Sequence, residues 1–213
     1  AVNLPNVQSV LFKEQEGSYL VGAMAALSSK TGKVGFVGGM DIPLIRKFQC
    51  GYEQGAKATN PKIEVFSNMT GTTSSAWNDP TRGAELAKSQ FAKGSDVVFA
   101  AAGGTGSGVY QAAKDAGKLA IGVDSNQNHL QPGTMLTSMV KRVDVAVLNV
   151  LKNWQPGVSV LGLKEGGVDY ALDQYNAKLV TPALKSKVDA VKADIIAGKI
   201  KVVDYMATSA CKY

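Results

Sequence analysis

The sequence holds one histidine, His129, and two cysteines, Cys50 and Cys211, in 213 residues. That excludes a His-rich or Cys-rich metal site, a zinc finger and a disulfide-dense scaffold. The cysteines are either free thiols or a single bridge, and they do not decide the compartment. Arginine is scarce, with Arg46, Arg82 and Arg142 alone, and the other basic residues are lysines spread along the chain. Nucleic-acid readers lean on clustered arginines and aromatic platforms. The net charge of +6 is therefore read as a solvated basic surface, with no nucleic-acid partner. No apolar run approaches the roughly 18–20 residues of a membrane-spanning helix. There is no fixed-period repeat, no low-complexity segment, no G-x-x-x-x-G-K-[ST] phosphate loop and no G-x-S-x-G elbow. His129 sits in NQNHLQPG, and no triad can be assembled around it. The chain offers polar recognition groups without a matched acid–base or nucleophile–base pair, which points to binding rather than turnover, with no metal or cofactor.

What is present is a core-forming composition, 45% hydrophobic with 23 glycines. Short apolar runs alternate with helix-length amphipathic stretches. Strands are expected at 7–12, 33–39, 63–67, 96–101, 119–123 and 135–140. Helices are expected at 17–29, 43–58, 106–116 and 144–154, and from Pro80 to about Lys93. Pro43 and the pair Asp79-Pro80 mark helix starts, and Gly117 marks a helix end. Beyond these, 158–163 and 168–172 read as a β-pair around Gly166-Gly167. Thr181 caps a last helix at 182–197, closed by Gly198, and 201–205 reads as a terminal strand. The repeated βα pattern with near-continuous apolar strands implies an α/β fold, a parallel sheet covered by helices on both faces.

In open parallel sheets, ligands sit beyond the carboxyl ends of the strands. Four segments occupy such places: Gly38-Gly39-Met40-Asp41, Asn68-Met69-Thr70-Gly71, Gly103-Gly104-Thr105-Gly106 and Asp124-Ser125-Asn126-Gln127. The run VVFAAAGGTGSGV imitates a dinucleotide fingerprint, but Val109 stands where the third glycine belongs. Its glycines either make a tight strand-to-helix turn or let backbone N–H groups approach a polar ligand. Asp124 ends an apolar strand, either as a local Asx-turn or as an acceptor for the vicinal diol of a sugar. Trp77, alone among small polar residues in GTTSSAWNDP, is either a core plug or a flat surface on which a ring stacks. Lys141 follows a strand directly, and it either orients a polar ligand or snorkels.

Taken together, NVQSVLFKEQEGSYLVGAMAALSSKTGKVGFVGGM, IRKFQCGYEQGAK, WNDPTRGAELA, DVVFAAAGGTGSGVYQAAKDAG, IGVDSNQ and LTSMVKRVDVAV form an ordered series. The series resembles the basic membrane protein (PnrA-like) family of ABC-transporter substrate-binding lipoproteins. The resemblance runs from about residue 6 to 155 and weakly to the end. It implies a type I periplasmic-binding-protein fold, in which two Rossmann-like lobes close on a purine nucleoside and deliver it to a membrane permease. By the same resemblance Trp77 would stack on the base and Asp124 would bind ribose hydroxyls. Lys141 would make a polar contact near the hinge, and Gly104, Thr105 and Gly106 would back the ligand; Met40, from its place after a strand, is expected at the ligand as well. It further implies an extracytoplasmic protein, periplasmic or lipid-anchored, and a monomer when full length. Family members carry roughly a hundred residues ahead of PNVQSV, about half a lobe by domain size. The N-terminal lobe is therefore expected to be incomplete, with 1–13 belonging to it, 14–138 forming the second lobe and 139–213 returning between hinge and N-terminal lobe. A sensor domain of the same fold, or a dinucleotide-dependent enzyme of Rossmann type, are the alternative readings.

Overall fold

Apolar strands with both faces buried need helices on each side, and a computed structural model describing residues 1–2 and 4–211 supplies them. The described strands form two sheets. β1 (Gln8–Phe12) and β7 (Gly157–Leu161) pair in parallel as a small two-stranded sheet. β2 (Lys33–Met40), β3 (Glu64–Gly71), β4 (Val97–Ala101), β5 (Leu119–Asp124), β6 (Met135–Lys141) and β8 (Val168–Tyr170) form the large one, in the order β3-β2-β4-β5-β6-β8. Its pairs are parallel except β6 with β8. β4 is buried at every position.

Successive side chains on a strand point to opposite faces, and the two cores follow that alternation. Val34, Phe36, Val97 and Phe99 enter one core with α1 (Glu14–Ser28), α2 (Pro43–Thr59) and α6 (Pro182–Ile196). Val37, Val98 and Ala100 enter the other with α3 (Pro80–Ala92) and α4 (Gly106–Asp115). The helix starts obey local chemistry. The Arg82 N–H donates to Asp79 Oδ1 at 2.9 Å, and the Leu184 N–H to Thr181 Oγ1 at 3.2 Å, each ahead of a proline in the first turn. Among the described residues no helix is long and apolar enough to cross a membrane.

α1 and α2 meet through glycine. A Cβ on Gly22 would stand 2.1 Å from the Tyr52 carbonyl oxygen, and one on Gly55 would stand 2.0 Å from that of Tyr19. Only bare Cα atoms allow the two backbones so close. Gly55→Ala should therefore cost about 1–3 kcal/mol by overpacking. The corresponding loss in Tm is roughly 2–4 °C per kcal/mol for a chain of this size, read by thermal melting followed by circular dichroism. An unchanged Tm would mean that the helices separate freely.

The C-terminal third departs from the expectation in three places. First, 158–163 and 168–172 do not pair with each other. β7 pairs with β1 from Gln8↔Gly157 to Phe12↔Leu161, while β8 pairs with β6. Each finds a free edge in a different sheet, and the turn between them closes on itself through Gly167 N–H to the Gly162 carbonyl at 2.8 Å. Second, residues 201–205 are not a strand. The segment ends in a short helix α7 (Tyr205–Thr208), and the Gln54 side chain replaces a neighbouring strand. Gln54 Nε2 donates to the Val203 carbonyl at 3.0 Å, and Val203 N–H donates to Gln54 Oε1 at 2.8 Å. Third, the C-terminal elements do not accompany β1. β8 extends the large sheet, α6 packs on α1 and α7 on α2, leaving β7 and α5 (Val143–Lys152) with the small sheet. The reason is apolar burial: Val168, Val180, Val188 and Ile195 enter the large core. Cys50 and Cys211 are joined as a disulfide, which closes the question left open by their number.

α5 buries only Ala146. Val143, Val147, Leu148, Leu151 and Trp154 are exposed, as are Leu11, Val158 and Val160 of the small sheet.

Candidate functional site

The order in which successive strands are laid down reverses between the parallel neighbours β2 and β4, since the chain goes from β2 out to β3 on one side and continues with β4 on the other. The crevice at the carboxyl ends beside such a switch point is where open α/β sheets bind ligands. A pocket of about 190 Å³ lies there. Its floor is Ala101 at the end of β4 with Ala102 and Gly103 after it, Val123 and Asp124 from β5 and Lys141 from β6. Leu44, Ile45 and Phe48 of α2 and the indole of Trp77 form the walls. A larger groove, about 660 Å³, runs between Tyr19, Gln54 and the 200–203 segment. It lies near the end of α2, which leads into the start of β3 and so to the opposite edge of the sheet.

The half-buried Trp77 ends a 3-10 turn, Ser74–Trp77. Its ring lies against the backbone of β2, where a Cβ on Gly39 would stand 2.4 Å from Trp77 Cζ3. Gly103, at φ 57°, adopts the left-handed conformation beneath the same residue. Thr105 holds the turn in place: its fully buried Oγ1 donates to the Ala76 carbonyl at 2.8 Å and accepts from the Asp79 N–H at 2.8 Å.

Asp124 has φ 66°, a left-handed conformation that aspartate tolerates better than most residues. Strain of this kind persists where the surrounding structure enforces it, and it clusters at functional sites. Asp124 lines the pocket and is exposed. Among the described residues no side chain donates to it and no cation stands within ion-pairing distance. Desolvation raises its pKa, Glu14 adds to the rise and Lys141 opposes it. Lys141 Nζ instead lies 3.1 Å from Glu14 Oε1 and 5.1 Å from the centre of the Phe12 ring. Glu14 is only 4% exposed, and its other oxygen is 2.9 Å from Lys47 Nζ.

Of the residues expected at the site, the structure brings Trp77, Asp124 and Lys141 to one pocket. The other four stand off its wall. Thr105 faces the Trp77 turn rather than the pocket. Gly104 adjoins the Asn78 side chain, and Gly106 adjoins the Tyr110 hydroxyl. Met40 pairs with Gly71 at the rim of the sheet. Gly103 lines the pocket in place of its expected neighbours, because the chain turns left-handed there. Ile45 and Phe48 carry no site signal in the sequence because an apolar helix stripe reads as core, and Leu44 stands beside that stripe. The sequence carried no signal for Glu14, an acidic residue in an acidic helix start. His129 lies near Tyr175, outside the pocket lining. Among the described residues no group of three His, Cys, Asp or Glu is placed to hold a metal ion.

The family described as "ABC transporter substrate-binding protein PnrA-like" matches residues 2–205. Basic membrane protein D of Borreliella burgdorferi is 37% identical over 92% of this chain and 59% of its own length. A protein of Lactococcus lactis named "ABC transporter nucleoside-binding protein BmpA" is 35% identical, over 92% of this chain and 60% of its own. A crystal structure of ABC transporter system solute-binding proteins from Aeropyrum pernix K1 superposes with a TM-score of 0.81 at 30% identity. That match covers 95% of this chain and 68% of the other. The chain thus spans about three fifths of the length of these two relatives.

Proposed function

Because the chain belongs to the PnrA-like family of ABC transporter substrate-binding proteins, with the α/β fold of the solved solute-binding proteins, we propose that it captures a purine nucleoside outside the cytoplasm and passes it to a membrane permease. The observation that carries this reading is an unpaired carboxylate and a half-buried indole in the same switch-point pocket. A vicinal diol offers two hydroxyl donors, and a carboxylate offers acceptors only, so Asp124 suits a ribose. A purine presents a flat π-face, which suits Trp77. The nucleoside-binding name of the Lactococcus relative supports the same ligand class.

The pocket's 190 Å³ falls below the roughly 300–1,000 Å³ of sites that enclose a small molecule. This unit accordingly supplies one wall, and closure of a second lobe supplies the other. β1, β7 and α5 belong to that second body, and the part of the relatives without counterpart here completes it and covers the apolar faces of α5 and the small sheet. The ligand is bound and released unchanged, with no cofactor. The protein is held at the membrane by a lipid or is free in the periplasm, and works as a monomer.

Isothermal titration of the intact gene product with inosine, guanosine, adenosine and ribose tests the reading. Nucleosides should bind, and ribose alone only weakly. Trp77→Ala removes a stacking surface worth about 1–3 kcal/mol. It should weaken nucleoside and free base alike, by roughly 5- to 150-fold. Absence of binding by every nucleoside overturns the ligand class.

A further inference from the structure

Asp124 and Lys141 end neighbouring parallel strands, with Asp124 in register opposite Val140. An ammonium and a carboxylate so placed attract each other, and the shortest route to neutrality is a direct pair. The structure does not take it. Lys141 turns to Glu14 at 3.1 Å, its ammonium over the Phe12 ring. Glu14 is the first residue of α1, where a helix N-terminus favours a carboxylate. It is buried, and it divides its two oxygens between Lys141 and Lys47. Lys47 is anchored independently: its Nζ donates to the Phe12 carbonyl at 2.8 Å and lies 3.7 Å from Asp204 Oδ2.

We propose that Glu14 is a positioning residue that holds Lys141 off Asp124 and so keeps the Asp124 carboxylate free to accept hydrogen bonds from a ligand. A carboxylate already paired with an ammonium has fewer acceptor sites for a diol. A ligand would then have to displace the lysine before binding. With Glu14 neutral, Lys141 loses its partner, and the charged acceptor left facing it is Asp124. The titratable groups that face Asp124 are Lys141 from β6, Glu14 from α1 and Tyr110 from α4. Tyr110, with its pKa raised by burial, stays neutral throughout. The effect on affinity rests on reading the pocket as a nucleoside site; the effect on Asp124 itself does not.

The test compares wild type, Glu14→Gln, Lys141→Met and the double variant in the intact protein. The Asp124 carboxyl is followed by carbon NMR without ligand and identified by its loss in Asp124→Asn. In Glu14→Gln the Asp124 pKa should fall by about one unit, because an attractive charge approaches and a repulsive one leaves. One unit corresponds to about a tenfold preference for the paired state, and nucleoside affinity should fall by a similar factor. In the double variant the Asp124 pKa should rise again, because the ammonium that Glu14→Gln released is gone. Lys141→Met leaves the Glu14–Lys47 pair intact and should move the Asp124 pKa only slightly upward. That variant decides the matter even if Glu14→Gln fails to fold, since a rise of more than about one unit would mean Lys141 was already paired with Asp124. An unmoved Asp124 in Glu14→Gln overturns the proposal, as does an Asp124 pKa in the double variant no higher than in Glu14→Gln. The expected NMR shifts without nucleoside binding by any variant would uphold the positioning role and reject the ligand.

Discussion

Replacing Asp124 with asparagine is expected to weaken nucleoside binding by about 100-fold or more while making the protein more heat-stable. Hydrogen bonds to a charged group are worth about 1.5–3 kcal/mol each, and a ribose diol makes two. Asparagine keeps the size of the side chain and tolerates the left-handed backbone at φ 66°. It turns one acceptor into a donor, which then faces a hydroxyl. Nucleosides should therefore lose far more affinity than free bases, and equal losses would contradict the diol role. The gain in stability follows from the raised carboxyl pKa. The folded state holds the Asp124 proton more tightly than the unfolded chain does, so the ionised form costs stability. That cost is fully present above the folded-state pKa. It is relieved as pH falls through that value towards the pKa of the unfolded chain. The Tm advantage of Asp124→Asn should be largest near neutrality and should close in acid, as scanning calorimetry across pH can show. An advantage that grows in acid would reverse the sign and reject the argument.

Breaking the Cys50–Cys211 bridge is expected to lower Tm by about 10 °C. The bridge joins residues 161 apart in sequence. Removing a native cross-link typically costs about 2–5 kcal/mol, and each kcal/mol moves Tm by roughly 2–4 °C for a chain of this size. The damage should be graded along the chain. The C-terminal strap remains tied to α2 by Gln54 on Val203 and by Lys47 near Asp204. The residues around α7 should open first, while β2 and β4, buried at the centre of the sheet, should stay protected. Hydrogen exchange of the Cys50→Ser/Cys211→Ser variant would show this as faster exchange confined to the strap. Uniform loss of protection would mean that the bridge braces the whole sheet, and an unchanged Tm would mean that it braces nothing. A bridge between these two residues suits the oxidising surroundings of an extracytoplasmic protein.

The elements with local signals were legible in advance. Asp79-Pro80, Pro43 and Thr181-Pro182 start helices because capping and proline geometry act within one turn. The runs around Phe36, Phe99 and Ile121 became strands covered on both faces because their pattern leaves no side for water. The C-terminal third was harder. Its short runs around Val160 and Val168 have no local preference between pairing with each other and pairing with distant edges. The segment 201–204 reads as a strand from its apolar run, but its hydrogen-bonding neighbour is the amide of Gln54 and not a strand.

By itself, the sequence determined the succession of strands and helices, the burial of the sheet and the placing of Asp124, Trp77 and Lys141 at strand ends or loops. Only the tertiary structure decided that these three share a pocket, that Gly103 lines it where Gly104, Thr105 and Gly106 do not, and that β8, α6 and α7 join the large core. It alone decided that Lys141 answers to Glu14 and leaves Asp124 unpaired. The physical reason is range. Periodicity, caps and turns depend on neighbours a few residues away. The state of a charge depends on every group that the fold brings within a few ångströms, wherever that group stands in the chain.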